Sequence, residues 1–555
     1  MITENFIKIY ERSFRDNWNL PALTDYGKNT SITFGLLARK IAEIHILLEE
    51  YQVGRGDKVA LVGKDCTAWC IAHLAVMTYG AIVVPILQDF NPNDIHHIIN
   101  HSDSCLLFVS DKIWDILEEE KIVAVRAVFS LSEFRCIYHR YGESAPVPGA
   151  DDLERKFASR YPKGFSPDDV IYADIDNSEV ALINYTSGTT GFSKGVMLTG
   201  NNLAGNVTYA RRLDVIFRGE RMLCFLPLAH AYSCAFNYLV PVAFGAHVFI
   251  LGKLPTPKIL LKAFEEIKPH LIISVPLILE KIYKKTILPQ LSKRTMRLAL
   301  NIPLLDTRIY AQVCKKLVNA LGGNFREVIV GGAPMNQEVT DFLYKIKFPF
   351  TIGYGMTECA PLVSYDNHND YVPGSCGRVL HDIMDVRIDS PDPYNIVGEI
   401  QVKGENVMQG YYKNEDASAN AFTSDGWLRT GDLGTIDDKK RIYIRGRSKT
   451  LILSSNGQNI YPEEIESKLN NLPFVMESLV VEKNGKLIAL VYPDYDAVDG
   501  VGIRHEDLPA VMEQNRQELN KLLAPYESIT SICLYPTEFE KTPKKSIKRY
   551  LYSNY

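Results

Sequence analysis

Short apolar runs recurring between helical patterns constrain this chain more than any other feature. Lys58-Val59-Ala60-Leu61-Val62, Leu106-Leu107-Phe108-Val109, Leu271-Ile272-Ile273-Ser274-Val275 and Glu327-Val328-Ile329-Val330 are too short for helices and too continuous for half-exposed strands. Such runs suit strands covered on both faces. Their alternation with helical segments predicts α/β architecture with largely parallel sheets through the first 350 residues.

Residues 66–88 and 222–252 contain no Asp, Glu, Lys or Arg. Gly80 and Pro85 interrupt the first, and Pro227, Asn237, Pro241 and Gly245 the second. Each reads as a buried helix running into a buried strand (Ala81–Val84, His247–Ile250), not as a membrane span. A chain of 555 residues exceeds one ordinary domain. A net charge of −5 gives no global electrostatic case for nucleic acid or for anionic membranes as partners. Ten cysteines lack C-x-x-C or zinc spacing, which fits reduced thiols in the cytoplasm. The start Met1-Ile2-Thr3-Glu4-Asn5 lacks the basic and apolar regions of a signal peptide.

Residues 130–178 are poor in apolar runs and read as an irregular insertion. From about 384 the texture changes to short strands and turns, predicting a β-rich subdomain over 384–447. The last segment reads as a compact α+β unit. It opens a helix at Pro462, where proline suits the first turn, and continues with strands at 478–481 and 487–491. Its tail is basic, with Lys541, Lys544, Lys545, Lys548 and Arg549.

The chemistry begins at Tyr185-Thr186-Ser187-Gly188-Thr189-Thr190-Gly191-Phe192-Ser193-Lys194-Gly195-Val196. Glycines let backbone N–H groups approach a ligand closely. Hydroxyls donate to phosphate oxygens, and Lys194 adds a point charge. The loop suits a polyphosphate, but it is not the Walker pattern, because Lys194 is followed by Gly195. Five more segments accompany it: Phe225-Leu226-Pro227-Leu228-Ala229-His230; Gly331-Gly332-Ala333-Pro334-Met335; Gly353-Tyr354-Gly355-Met356-Thr357-Glu358; Gly426-Trp427-Leu428-Arg429-Thr430-Gly431-Asp432; and Arg445-Gly446-Arg447-Ser448-Lys449. Taken singly, a turn glycine, a lone core histidine or a β-turn aspartate would explain most of them.

In this order, from Gly54-Arg55-Gly56-Asp57-Lys58-Val59 to the lysine tail, the segments resemble the adenylate-forming superfamily of acyl-CoA synthetases, luciferases and peptide-synthetase adenylation domains. Glu405-Asn406-Val407-Met408-Gln409-Gly410-Tyr411-Tyr412-Lys413-Asn414 looks most like the long-chain fatty acyl-CoA synthetase branch. The resemblance implies a large N-terminal domain of two stacked α/β sheets plus the β-rich subdomain (1–447) and a small mobile α+β C-terminal domain (448–555), hinged near Lys449. It also implies ATP, Mg²⁺ and CoA as reaction partners.

By the same resemblance, Thr186, Ser187, Gly188, Thr189, Thr190, Gly191 and Lys194 bind phosphates, and Gly332, Ala333 and Gly355 line the nucleotide site. Tyr354 lies near the adenine, Thr357 contacts phosphate and Glu358 binds magnesium. Asp432 and Arg447 take the ribose, and His230 borders the acyl pocket. Gly457 lines the thiol tunnel, where a side chain would obstruct a narrow passage. Lys545 is the catalytic lysine, with Lys544 and Lys548 as alternatives because the usual preceding glycine is Lys544 here. Thr450 departs from the acidic residue usual after the hinge.

The implied reaction joins a fatty acid to AMP with release of pyrophosphate, then passes the acyl group to CoA. An aryl acid, an acyl-carrier protein as acceptor, or a non-catalytic nucleotide-binding protein are the alternatives. The reading places the chain in the cytoplasm and leaves peripheral contact with the inner membrane surface open, since fatty acids partition into bilayers.

Overall fold

The computed structural model describes residues 2–28, 30–140, 150–186, 193–291, 293–453, 458–483, 485–542, 546–552 and 555, without the side chains of 150–152, 285 and 297. Two sheets organise the first part of the chain. The larger has eight strands, in the spatial order Gly410–Tyr411, Lys194–Thr199, Val180–Thr186, Ile82–Ile86, Lys58–Val62, Ser104–Val109, Ala127–Ser130 and Cys136–His139. Its middle is parallel and its two edges are antiparallel. The second runs Thr30–Thr33, Pro21–Asp25, His247–Ile250 and Arg221–Cys224. A parallel bridge between Met222 and Leu271 extends it toward Ile272–Ser274, Val328–Val330 and Phe350–Ile352.

The charge-free stretch 66–88 shows why these sheets stack. Helix Thr67–Tyr79 is buried at every position from Trp69 to Thr78. It packs on Pro21–Asp25 of one sheet and on Lys58–Val62 and Ile82–Ile86 of the other. A helix covered on both sides has no face for a charged residue. The His73 ring stacks on Trp69 at 5.0 Å, and burial pushes its pKa down to about 3. The second charge-free stretch also ends in a strand, His247–Ile250.

A four-stranded antiparallel sheet follows, ordered Met384–Asp389, Gly398–Gly404, Leu428–Ile436 and Ile442–Arg447. The last segment builds a separate sheet from Val475–Lys483, Lys486–Pro493 and Ile529–Leu534, with helices Pro462–Leu469 and Leu508–Lys521 against it. The apolar cores are distinct among the described residues. One runs from Ile2 to Ile442, and another from Ile460 to Ile529. Ile444 packs on the first and Ile452 on the second, so the chain crosses between them over a few residues.

The stretch 130–178 is more regular than its sequence suggests. Cys136–His139 forms an edge strand of uniform intermediate burial, so it carries no apolar run. Ala150–Arg160 is a helix that rests on Phe34–Glu50. Leu153 and Phe157 are its buried contacts, too few for a conspicuous pattern.

The segment 405–412 fastens the later part of the chain to the earlier sheets. Asn202 donates its side-chain amide to the carbonyls of Glu405 (2.7 Å) and Val407 (2.8 Å). Asn406 is fully buried and donates to Leu362 O at 2.9 Å. Gly205 lies directly beneath Asn406: a Cβ there would stand 1.8 Å from Oδ1. Gly205→Ala should therefore destabilise by about 1–3 kcal/mol, the usual range for overpacking. Denaturant unfolding would measure this, and an Asn406→Ala background should relieve part of the loss. Wild-type stability in Gly205→Ala would contradict the packing described.

Candidate active site

Parallel strands deliver their carboxyl ends to one crevice, where α/β folds bind ligands. Here Leu87, Phe225, Leu251, Val275, Gly331 and Gly353 each follow a strand of one of the two sheets, and all line a single cavity of about 3300 Å³. Thr186, Lys194, His230, Gly332, Ala333, Tyr354, Gly355, Thr357, Glu358, Asp432, Arg447 and Lys449 also line it. Ser187, Gly188, Thr189, Thr190, Gly191, Gly457 and Lys545, with its alternative Lys544, lie outside the described residues. Lys548, the other alternative, lines the cavity and pairs with Glu540 at 3.4 Å.

The glycine- and hydroxyl-rich segment between Thr186 and Lys194 connects the two strands of a hairpin, Val180–Thr186 and Lys194–Thr199, in which Thr186 faces Lys194. Gly410–Tyr411 adds to the hairpin's outer edge, and Tyr412 N donates to Gly195 O at 2.7 Å. This placement aims Tyr411 at the site. Its hydroxyl donates to Glu358 Oε1 at 3.0 Å, and its ring lies 4.8 Å from Lys194 Nζ. Burial and the neighbouring Glu358 carboxylate raise the Tyr411 pKa, so the hydroxyl stays a donor. Met408 N donates to Glu358 O at 2.8 Å. In the sequence Tyr411 belongs to the segment that resembles the long-chain branch and carries no role of its own. Only the strand pairing reveals that it holds Glu358.

Asp432 and Arg447 oppose one another across adjacent antiparallel strands, Leu428–Ile436 and Ile442–Arg447. Arg447 Nε lies 3.0 Å from Asp432 Oδ1, and Tyr354 OH donates to Oδ2 at 2.7 Å. The carboxylate is buried and the guanidinium is exposed. Burial raises the Asp432 pKa, while Arg447 and Tyr354 oppose that rise.

At the other end, His230 caps the one-turn helix Ala231–Ser233, its Nδ1 accepting Tyr232 N at 3.3 Å. Leu228 N donates to Asp65 Oδ1 at 3.0 Å, which fixes the loop before His230. Tyr232, unassigned from sequence, donates to Ile329 O at 3.1 Å. A Cβ at Gly331 would approach its ring to 3.1 Å, so glycine keeps this wall thin.

The basic tail is held near the same cleft. Arg549 forms an ion pair with Glu466, which also accepts Val480 N at 2.6 Å. Burial pushes Glu466 up to about 7, against the pull of Arg549. Thr450, in place of the expected acidic residue, donates to Glu463 Oε1 at 2.7 Å.

A profile of AMP-binding enzymes matches residues 10–412. The chain belongs to the AMP-binding enzyme family. A long-chain-fatty-acid–CoA ligase of Mycobacterium bovis is 28% identical, covering 94% of this chain and 90% of that protein. The peroxisomal long chain acyl-CoA synthetase 7 of Arabidopsis thaliana is also 28% identical, over 94% of this chain and 80% of that one. Among solved structures, ATP-bound MatB from Rhodopseudomonas palustris superposes with a TM-score of 0.76 at 22% identity, covering 99% and 98% of the two chains. An anthranilate CoA ligase in complex with anthranoyl-AMP gives 0.78 at 19% identity, covering 100% and 97%. These two show a shared fold.

For this AMP-binding enzyme, Tyr354→Phe removes a hydrogen bond that favours the ionised form of Asp432. The Asp432 pKa, already raised by burial, should rise further. An ionised carboxylate accepts from hydroxyls, so its protonation should weaken AMP binding. Calorimetry between pH 5 and 8 should show AMP affinity in the variant declining at a higher pH than in wild type. Coincident pH profiles would separate Asp432 from nucleotide binding.

Proposed function

We propose that this enzyme activates fatty acids, forming an acyl-adenylate with release of pyrophosphate and then an acyl thioester of CoA. The observation that carries the reading is the apolar wall of the cavity beyond His230. Leu260, Phe264, Ile273, Val275, Val313 and Leu317 line it, drawn from strand Ile272–Ser274 with the residue after it and from helices Pro257–Ile267 and Leu305–Ala320. Such a wall suits a hydrocarbon chain, each buried methylene contributing about 0.8 kcal/mol. The matched relatives' names point the same way.

The residue roles follow from charge. A carboxylate approaching a polyphosphate is repelled, so catalysis must neutralise charge at the attacked phosphorus. On this reading Lys194 and the loop 186–191 hold the departing pyrophosphate, and the Lys545 ammonium sits by the α-phosphate. Thr357 donates to phosphate, and His230 stands where the acyl carboxylate enters. Asp432 accepts from the ribose hydroxyls with Arg447 beside it, while Tyr354, Gly332, Ala333 and Gly355 border the base.

Among the described residues no three His, Cys, Asp or Glu side chains converge to hold a metal ion. Glu358 instead offers a carboxylate oriented by Tyr411. That donor suits Mg²⁺, which takes one or two carboxylates alongside phosphate oxygens. Glu358 would hold the ion, whose charge would offset that of the phosphates.

The separation of the two apolar cores supports a mobile C-terminal unit pivoting near Lys449, which would withdraw Lys545 and open the path past Gly457 to the thiol.

ATP–pyrophosphate exchange tests the reading across carboxylates from acetate to C18 and several aryl acids. Exchange should strengthen with chain length. Glu358→Gln should lower it at least a hundredfold. Val313→Trp should lower kcat/KM for C16 at least tenfold while leaving hexanoate within about twofold, since only the longer chain needs the filled volume. Exchange confined to aryl acids would overturn the fatty-acid assignment.

A further inference from the structure

Helix Leu305–Ala320 has 16 residues, of which Leu317 alone is buried. With the preceding helix Arg294–Leu300 it forms a hairpin that lies against helix Pro257–Ile267. Met296, Ile309, Val313 and Leu317 of this hairpin line the cavity. Four other apolar residues face outward: Leu298, Ile302, Leu304 and Leu305 are 62%, 53%, 77% and 38% exposed. A single exposed leucine means nothing. Four within eight residues form a patch of the kind that marks a binding surface. At the rim of the cavity, Leu254, Leu261 and Leu277 are both exposed and part of its lining.

Charge identifies what the patch meets. Residues 281–316 contain nine lysines and arginines and one acidic residue, Asp306, in a chain whose net charge is −5. Lys293, Arg294, Arg308 and Lys315 are exposed, and among the described residues none of them pairs with a carboxylate. Exposed leucines flanked by cations on a helical surface fit an interface between acyl chains and anionic headgroups. Two copies of so basic a hairpin would repel each other, which argues against a second chain as the occupant.

We propose that the hairpin 294–320 docks on anionic bilayers, with Leu298, Ile302 and Leu304 entering the interface and Lys293, Arg294 and Arg308 contacting headgroups. The rim leucines would then open the cavity toward the lipid phase, so that a fatty acid passes into the site without crossing water. That consequence rests on the fatty-acid reading; the docking itself does not.

Sedimentation with phosphatidylcholine vesicles, with or without 30% phosphatidylglycerol (about one anionic lipid in three), tests the docking without any acyl substrate. Wild type should partition onto the anionic vesicles at low salt, and weakly onto neutral ones. Leu298→Gln/Ile302→Gln/Leu304→Gln and Lys293→Glu/Arg294→Glu/Arg308→Glu should each reduce partitioning at least tenfold. Tyr394→Gln/Ile396→Gln, which alters exposed apolar residues of the β-rich part, should keep it. All six hairpin positions are exposed and lie outside the cavity lining, so both triple variants should unfold at the wild-type temperature and retain exchange with hexanoate. Wild-type vesicle binding in both triple variants, or equal binding to neutral and anionic vesicles, overturns the proposal. A dimer that both variants dissociate, without vesicle binding, would do the same. A protein that docks as described but activates only aryl acids would leave the surface standing and remove the delivery role.

Discussion

The burial of one helix between two sheets sets the geometry of everything else. Thr67–Tyr79 can lie there because it carries no charge; Thr78 donates to Leu74 O at 2.7 Å, and Tyr238 donates to Cys70 O at 2.7 Å. A charged residue at these positions would need a buried partner that neither sheet supplies. With the helix in place, strands of both sheets end at a common crevice, and the loops after them become the walls of the cavity. The site is therefore a consequence of layer packing, and its chemistry is written on the residues that follow each strand.

A second constraint ties the later half of the chain to that crevice. The two-residue strand Gly410–Tyr411 contributes little pairing by itself, yet it extends the hairpin of Val180–Thr186 and Lys194–Thr199. Buried amides on both sides brace it, Asn202 and Asn406, each donating to backbone carbonyls. Buried backbone groups must be paired, and these side chains pair them where no sheet continues. The result is that Glu358, Tyr411 and Lys194 come from three distant segments but share one rigid neighbourhood.

How much of this was legible follows from the kind of signal each feature leaves. The parallel strands were readable because burial on both faces demands continuous apolar runs, as at 58–62 and 328–330. The motif residues were readable as a set because glycine, hydroxyl and carboxylate patterns occur where ligands approach backbone. Cys136–His139 left no trace, since an edge strand of intermediate burial needs neither alternation nor a continuous run. Tyr411 was visible as a letter but not as a partner of Glu358, because that contact depends on strand pairing across more than two hundred residues. The hairpin 294–320 was unremarkable by periodicity. Its meaning lies in which leucines remain uncovered after folding, and that is a property of the surface.

The carboxylates of the site show how one fold assigns them different work. Asp432 is buried, and its proton affinity is raised by desolvation and restrained by Arg447 and Tyr354. Glu466 is also buried and raised, but its partner is Arg549 on the tail. Glu358 is only half-buried and is held by a tyrosine hydroxyl and its own backbone. On the proposed reading, the carboxylate that would bind a metal ion has to stay accessible, whereas the one that would clamp neutral hydroxyls gains orientation from burial. A carboxylate that anchors a segment is paired with a cation on that segment, as Glu466 is with Arg549. Buried ion pairs of that kind add little net stability, because desolvation offsets attraction. Glu466 and Arg549 both lie in the C-terminal unit, so their pair holds the tail on helix Pro462–Leu469 and would travel with that unit in the proposed movement.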